Sequence, residues 1–201
     1  MKLYFNKFSR GSRVRWMLEE LGLPYECIVL DMRTGEHRDP AKNPHPLLKV
    51  PALVQDDGTV LMESHAIVVH LADAYGRVPD GAAFIPPSGQ RGRFYQWCFY
   101  TQVTLEPEVY AVFRDSRLPA AEQNPALVAA ARAKFATLLP PIRAELTSKP
   151  YLLGDAFSAC DLLMSGLLIW AKGQGMLDDE PLLVAYAERC GARPARQRAM
   201  A

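Results

Sequence analysis

Apolar positions change their period along this chain, and the changes mark its elements. "KLYF" (Lys2 to Phe5) is dense in strand formers, and beyond a polar loop Val14, Met17, Leu18 and Leu21 fall at i, i+3, i+4 and i+7, one face of a helix. Gly22 and Pro24 close that helix, the first as a left-handed cap and the second as a residue that cannot continue it. "YECIVL" (Tyr25 to Leu30) predicts a second strand. A polar, proline-bearing stretch from Asp31 to Pro46 follows. "PALVQ" and "TVLM" then flank Asp56-Asp57-Gly58, the pattern of a hairpin. Ile67, His70, Leu71 and Ala74 return to helical spacing, closing at Gly76. The order is a βαβ unit followed by a ββα unit, an α/β domain of about 80 residues.

The pattern breaks at "GRVPDGAAFIPPSGQ" (Gly76 to Gln90), where Pro79, Pro86 and Pro87 predict a linker. Beyond it the periodicity is helical throughout. "RGRFYQWCFYTQVTLEPEVYAVF" carries Phe94, Trp97 and Tyr100 three apart, and "PALVAAARAKFATLLPPIRAEL" is rich in alanine and leucine. In "LGDAFSACDLLMSGLLIWA", Ser158 is a candidate N-cap with Asp161 three residues on, an aspartate variant of the capping box. Phe157 and Leu162 stand at the two ends of a hydrophobic staple. The expected organisation is an α/β domain over residues 1–78, a linker over 79–89 and an all-helical domain over 90–201.

Composition narrows the function classes. With 201 residues, 49% hydrophobic and 22% charged, the chain reads as an ordinary globular protein, and a net charge of +1 gives no field to draw in nucleic acid or an anionic membrane. The amino terminus lacks a signal-peptide core and no segment has the length of a membrane span, so a cytoplasmic protein is expected. Cys27, Cys98, Cys160 and Cys190 are scattered without a C-x-x-C and read as free packing thiols. No metal is expected either: His65 and His70 are about 140° apart around a helix.

Two motifs bear on chemistry. Taken alone, Pro51 is a strand starter and Ser64 a helix cap. Together they have a second meaning. A proline after Val50 removes an N–H and can hold a cis peptide, leaving the Val50 backbone at a strand end, where an extended peptide can pair with it as one more strand. The N–H groups of the helix that begins at Ser64, with its hydroxyl, suit a carboxylate.

"KVPAL" (Lys49 to Leu53), "ESHAI" (Glu63 to Ile67) and "YLLGDAFSACDLL" (Tyr151 to Leu163), in this order and at these separations, resemble the cytosolic glutathione transferases, and the resemblance covers nearly every residue. It implies a thioredoxin-like amino-terminal domain and an all-α carboxyl-terminal domain, with glutathione as co-substrate. Val50 and Pro51 would then read the tripeptide backbone, Ser64 its γ-glutamyl carboxylate, Glu63 the neighbouring ammonium and Lys49 the glycine carboxylate. His37 and His45 are weaker candidates near that glycine end.

Ser9, followed four residues later by Arg13, resembles the serine-type enzymes of the family, a theta-like bacterial style, in which a hydroxyl near a helix amino terminus donates to the sulfur. That makes Ser9 the catalytic candidate. Tyr4 in "YFN" resembles the residue of tyrosine-type enzymes, and Ser12 is a third hydroxyl in reach. No cysteine lies in this loop. A cysteinyl thiol titrates near about 8.5, and lowering it by about 2 units needs about 2.7 kcal/mol of preference for the anion. A hydrogen bond to a charged group contributes about 1.5–3 kcal/mol and a helix amino terminus about 0.3–1 kcal/mol. The two suffice together.

Phe8, Trp97 and Tyr100 are candidates for an apolar wall around a hydrophobic electrophile, although aromatic residues at helical spacing are also ordinary core. The family implies conjugation and detoxification, with isomerase, dehalogenase and peroxidase chemistry open to the same site. It also implies a homodimer in which the hairpin and the helix after it face the long helix near Arg91 to Phe113 of the other subunit. A non-catalytic binding or interaction module of the same fold is the alternative, because fold alone does not decide function.

Overall fold

The computed structural model describes residues 1–76 and 83–201. The chain divides into two compact units, one of Met1–Ile85 with Ala192–Ala201, the other of Pro86–Gly191. Part of the segment expected to be a linker, residues 79–82, lies outside the described residues. Phe84 and Ile85, beyond it, are buried.

The first unit is built on a four-stranded sheet in the order β2-β1-β3-β4. Strand β1 is Lys2–Phe5, β2 is Glu26–Val29, β3 is Ala52–Val54 and β4 is Val60–Leu61. β1 pairs parallel with β2 and antiparallel with β3, and β3 pairs antiparallel with β4. Leu3 and Phe5 on one face of β1 are buried, against Val14, Met17 and Leu18 of helix α1 (Gly11–Leu21) and Ile67 and Leu71 of helix α2 (Ser64–Tyr75) in the same core. Alternation thus turns Leu3 and Phe5 inward while Lys2 and Tyr4 face the other way. Gly22 ends α1 at φ 62°, its N–H donating to Leu18 O, as the capping pattern predicts. Gly58 sits at φ 86° in the hairpin, where Asp57 Oδ1 accepts from Thr59 N–H at 2.8 Å.

The second unit is helical: α3 (Arg91–Phe99), α4 (Glu106–Asp115), α5 (Pro125–Thr137), α6 (Pro140–Leu146), α7 (Ala159–Gly173) and α8 (Pro181–Gly191). The long helix expected from Arg91 to Phe113 is interrupted by π-helical turns at Tyr100–Leu105. Pro107, which has no N–H for the helical ladder, follows directly and accounts for the change of register. The alanine-rich stretch likewise divides at Leu138 and Leu139, before Pro140. Helix α7 carries the expected capping box, with Asp161 Oδ2 accepting from Ser158 N–H at 3.0 Å.

The last helix, α9 (Pro194–Met200), was expected within the helical domain, and the structure packs it with the first unit instead. Its buried Ala195 and Ala199 and its arginines meet α1. Among the described residues no helix is long and apolar enough to cross a membrane.

Candidate functional site

Sheet register brings the three sequence motifs to one place. Tyr4 pairs with Ala52, so the end of β1 that leads to Ser9 lies beside the start of β3 and Val50-Pro51. Leu53 pairs with Leu61, which puts the end of β4 and the following Glu63-Ser64 at that same edge. Crossing three strands takes about 10 Å. An extended tripeptide has about that length.

The loop between β1 and α1 is tied down by Asn6. Its side-chain amide donates to Leu30 O at 3.0 Å while its Oδ1 accepts from Phe8 N–H at 3.0 Å. Ser9 is half-buried. Its hydroxyl donates to Asn6 O at 2.7 Å and accepts from Gly11 N–H at 3.0 Å, and Ser12 Oγ donates to Ser9 O at 3.0 Å. The Ser9 oxygen is therefore oriented by a backbone donor of the first turn of α1. Gly11 is required for this approach, because a Cβ there would stand 2.6 Å from Phe5 Cβ and 3.1 Å from Ser9 Oγ. The first turn of α1 holds no acid. The helix amino terminus therefore keeps the partial positive charge of its N–H groups, which suits an anion.

On the second motif, the Val50–Pro51 peptide is cis, and β3 begins at Ala52, one residue past the proline. Lys49 is exposed, and its carbonyl accepts from Asn43 Nδ2 at 3.0 Å. Asn43 also donates to His37 O at 2.7 Å and accepts from His45 N–H, so one buried amide shapes the irregular segment. The buried His45 ring accepts Leu47 N–H at Nδ1, 3.0 Å away. Burial holds its pKa below the ordinary 6.5, with Glu63 pulling it up and Lys49 pushing it down. The neutral ring is what this acceptor role needs.

At the third motif, Glu63 and not Ser64 is the N-cap residue of α2. Its carbonyl accepts from Ile67 N–H at 2.9 Å, and it is held at φ 66°, a left-handed conformation that is strained for glutamate. The N–H groups of the turn after it have no carbonyl within the helix to bond. Ser64 is buried in that first turn and the Glu63 side chain is exposed.

The three aromatic candidates have different fates. Phe8 is 90% exposed beside Ser9. Trp97 is 2% exposed and belongs to the core of the helical unit, edge-on to Tyr100 at 5.6 Å. Tyr100 is half-buried, and its hydroxyl donates to Leu138 O at 2.8 Å. Tyr4, the rival phenol, sits within the sheet ladder. His65 is buried, while a ring nitrogen of His70 meets Gln55 Nε2 at 3.0 Å. Among the described residues no three His, Cys, Asp or Glu side chains could hold a metal ion.

Sequence reasoning passed over Asn6, Gly11 and Asn43. Of these, Gly11 carried a readable signal, a glycine in the first turn of a helix that follows a strand; the two asparagines act through backbone contacts without periodicity.

Residues 3–79 match the family described as "Glutathione S-transferase, N-terminal domain" and residues 100–194 match "Glutathione S-transferase, C-terminal domain". All of the chain aligns with Glutathione S-transferase 3 of Zea mays at 30% identity, covering 93% of that protein. It aligns at 26% identity with Glutathione S-transferase GstA of Escherichia coli O157:H7, covering 97% of it. A solved ternary complex of BphK, a bacterial GST, has a TM-score of 0.84 at 29% identity, with 100% of this chain and 98% of that chain covered. A four-stranded thioredoxin-like unit and a helical unit, each matched in order, define a glutathione transferase fold. The chain belongs to the glutathione S-transferase family.

Proposed function

We propose that the protein is an enzyme that lays reduced glutathione across the edge formed by β1, β3 and β4, and that the Ser9 hydroxyl keeps the sulfur ionised for attack on an apolar electrophile. The carrying observation is the register that collects Ser9, Val50-Pro51 and Glu63-Ser64 at one edge. In this reading the backbone at Val50 pairs with the cysteinyl residue. The first turn of α2, with Ser64, takes the γ-glutamyl carboxylate, and Glu63 takes its ammonium. Exposed Lys49 takes the glycine carboxylate.

The thiol proton leaves to solvent, and the hydroxyl of Ser9 turns from Asn6 O to the sulfur. It gives up a neutral hydrogen bond of about 0.5–1.5 kcal/mol for a charged one of about 1.5–3 kcal/mol. Gly11 N–H stays on the oxygen and keeps it aimed. The thiolate then forms a C–S bond to the electrophile as its leaving group departs, or as a strained ring or double bond opens. Phe8, with its ring in the open next to Ser9, offers the apolar contact for that partner. Trp97 supports the helical unit from within.

We also infer a homodimer. Tyr95 and Phe99 of α3 and Val103 in the π-helical turns after it are exposed apolar side chains, and Val60 and Met62 are exposed near the hairpin. Retention on immobilised glutathione, together with accelerated conjugation of an aryl halide, is expected. A protein that flows through such a column and leaves the conjugation rate unchanged would be the non-catalytic module.

A further inference from the structure

The last turn of α1 ends in Glu19 and Glu20 and holds no base, the wrong charge for a helix carboxyl terminus. The partners come from the far end of the chain. Arg193 grips Glu20 with two parallel bonds, Nε to Oε1 at 2.6 Å and Nη2 to Oε2 at 2.7 Å, and Trp16 Nε1 donates to the same carboxylate at 2.9 Å. The Glu20 side chain is 5% exposed and that of Arg193 30%. One turn of α9 further on, Arg198 bonds Glu19 through its carboxylate at 2.8 Å and its carbonyl at 2.9 Å. Glu19 also accepts from the Tyr25 hydroxyl at 2.6 Å. Between these pairs Arg196 lies over the Trp16 ring, 5.6 Å from its centroid. At the opposite end of α9 the carbonyl of Ala201 meets Lys7 Nζ at 3.5 Å, in the loop that leads to Ser9. Helix α9 thus packs on α1, with Arg193 and Arg198 both bonded to its last turn and Ala201 next to the Lys7 side chain.

We propose that α9 is a splint for the thiol-activating end of α1, and that Arg193, acting through Glu20, is a positioning residue for catalysis. This rests on the reading of Ser9 given above. Helix α1 is a rod of about 16 Å. Its first turn presses on β1 at Gly11 and its last turn is pinned by the two arginines. Removing the Arg193 guanidinium leaves the buried Glu20 carboxylate without its two-pronged partner, the Trp16 indole still donating to it, and such a charge moves toward water. The rod then shifts, and the Ser9 oxygen shifts with it. Val50 lies just before β3 and Ser64 in the first turn of α2, whereas the bonds of Arg193 and Arg198 described above go to Glu19 and Glu20 of α1. The splint therefore governs the chemical step more than glutathione affinity.

The test uses the full chain with Arg193→Gln, Arg193→Lys and Arg198→Gln, reading kcat, KM for glutathione and the pKa of the bound thiol from its ultraviolet thiolate band. Arg193→Gln is expected to lower kcat about tenfold or more, as small misplacements do, while the bound thiol pKa rises by about one unit. KM for glutathione stays within about twofold. Lysine restores part of the rate, because it supplies the charge without the two-pronged grip. A folded Arg193→Gln protein with unchanged kcat and thiol pKa, or with kcat and KM altered in proportion, overturns the proposal. Should Arg193→Gln fail to fold, Arg198→Gln decides by the same readouts, its pair being half in solvent. If the wild type does not lower the thiol pKa at all, the Ser9 reading fails by itself. Amide hydrogen exchange at Gly11 to Val14 then judges the splint: exchange about tenfold faster in the variant supports it, and unchanged exchange rejects it.

Discussion

Replacing Ser9 with alanine is expected to lower kcat for conjugation by about tenfold to a hundredfold, the loss of one hydrogen bond to a charged sulfur. KM for glutathione should change by less than about threefold, since the backbone edge and the α2 amino terminus are untouched. The pKa of the bound thiol should climb by about 1–2 units toward that of free glutathione. Part of any loss in stability comes from Gly11 N–H, whose bond to Ser9 Oγ disappears, a capping effect of about 1 kcal/mol. That component lowers the melting temperature and leaves the thiol pKa alone, so the two effects separate. Tyr4→Phe and Ser12→Ala serve as the comparison. With the sulfur placed at Ser9, neither variant should move the thiol pKa.

The second large effect concerns folding. Asp161 Oδ1 accepts from Leu152 N–H and the Tyr186 hydroxyl, each at 2.8 Å, and Oδ2 accepts from Ser158 N–H at 3.0 Å and its hydroxyl at 2.6 Å. Burial pushes this carboxyl up from its ordinary range while the four donors pull it down. Asp161, Leu152 and Tyr186 are all fully buried, so the donors stranded by its loss are cut off from bulk solvent. Asp161→Ala is expected to cost about 3–5 kcal/mol, since it strands several buried donors at once. For a chain of this length that corresponds to roughly 10 °C or more in Tm. Asp161→Asn, which keeps an acceptor in place of Oδ1, should lose less. Denaturant midpoints measure both, and an alanine variant as stable as the wild type would show that the box at the start of α7 is ornamental.

Much of the fold is legible in the sequence because local chemistry and tertiary packing agree. Leu3 and Phe5 alternate inward, Gly22 takes the left-handed cap, and Ser158 with Asp161 forms its box. Disagreements fall where a local pattern is read past its punctuation. Pro107 and Pro140 are visible in the sequence, yet apolar spacing on either side of each suggests one uninterrupted helix; the π-helical turns and the break at Leu138 reflect the missing proline N–H.

Contacts distant in sequence are harder to read. The arginines of α9 find their glutamates across more than 170 positions, as in Arg193 with Glu20 at a separation of 173, and nothing in the periodicity of either segment announces the other. Only the acidic end of α1 hints at a missing partner. Of the candidate site, the three motifs stand in the sequence, while their meeting at one edge follows from register. Helical spacing could not tell whether Trp97 faces a substrate or the core, and the structure buries it.

The most direct test of the central claim is a crystal structure of the protein with glutathione bound. The sulfur is expected within hydrogen-bonding distance of Ser9 Oγ, with the γ-glutamyl carboxylate on the first turn of α2 and the cysteinyl backbone paired at Val50. A sulfur seated against Tyr4 or Ser12, or crystals soaked in glutathione whose edge at β1, β3 and β4 holds no tripeptide, would contradict it.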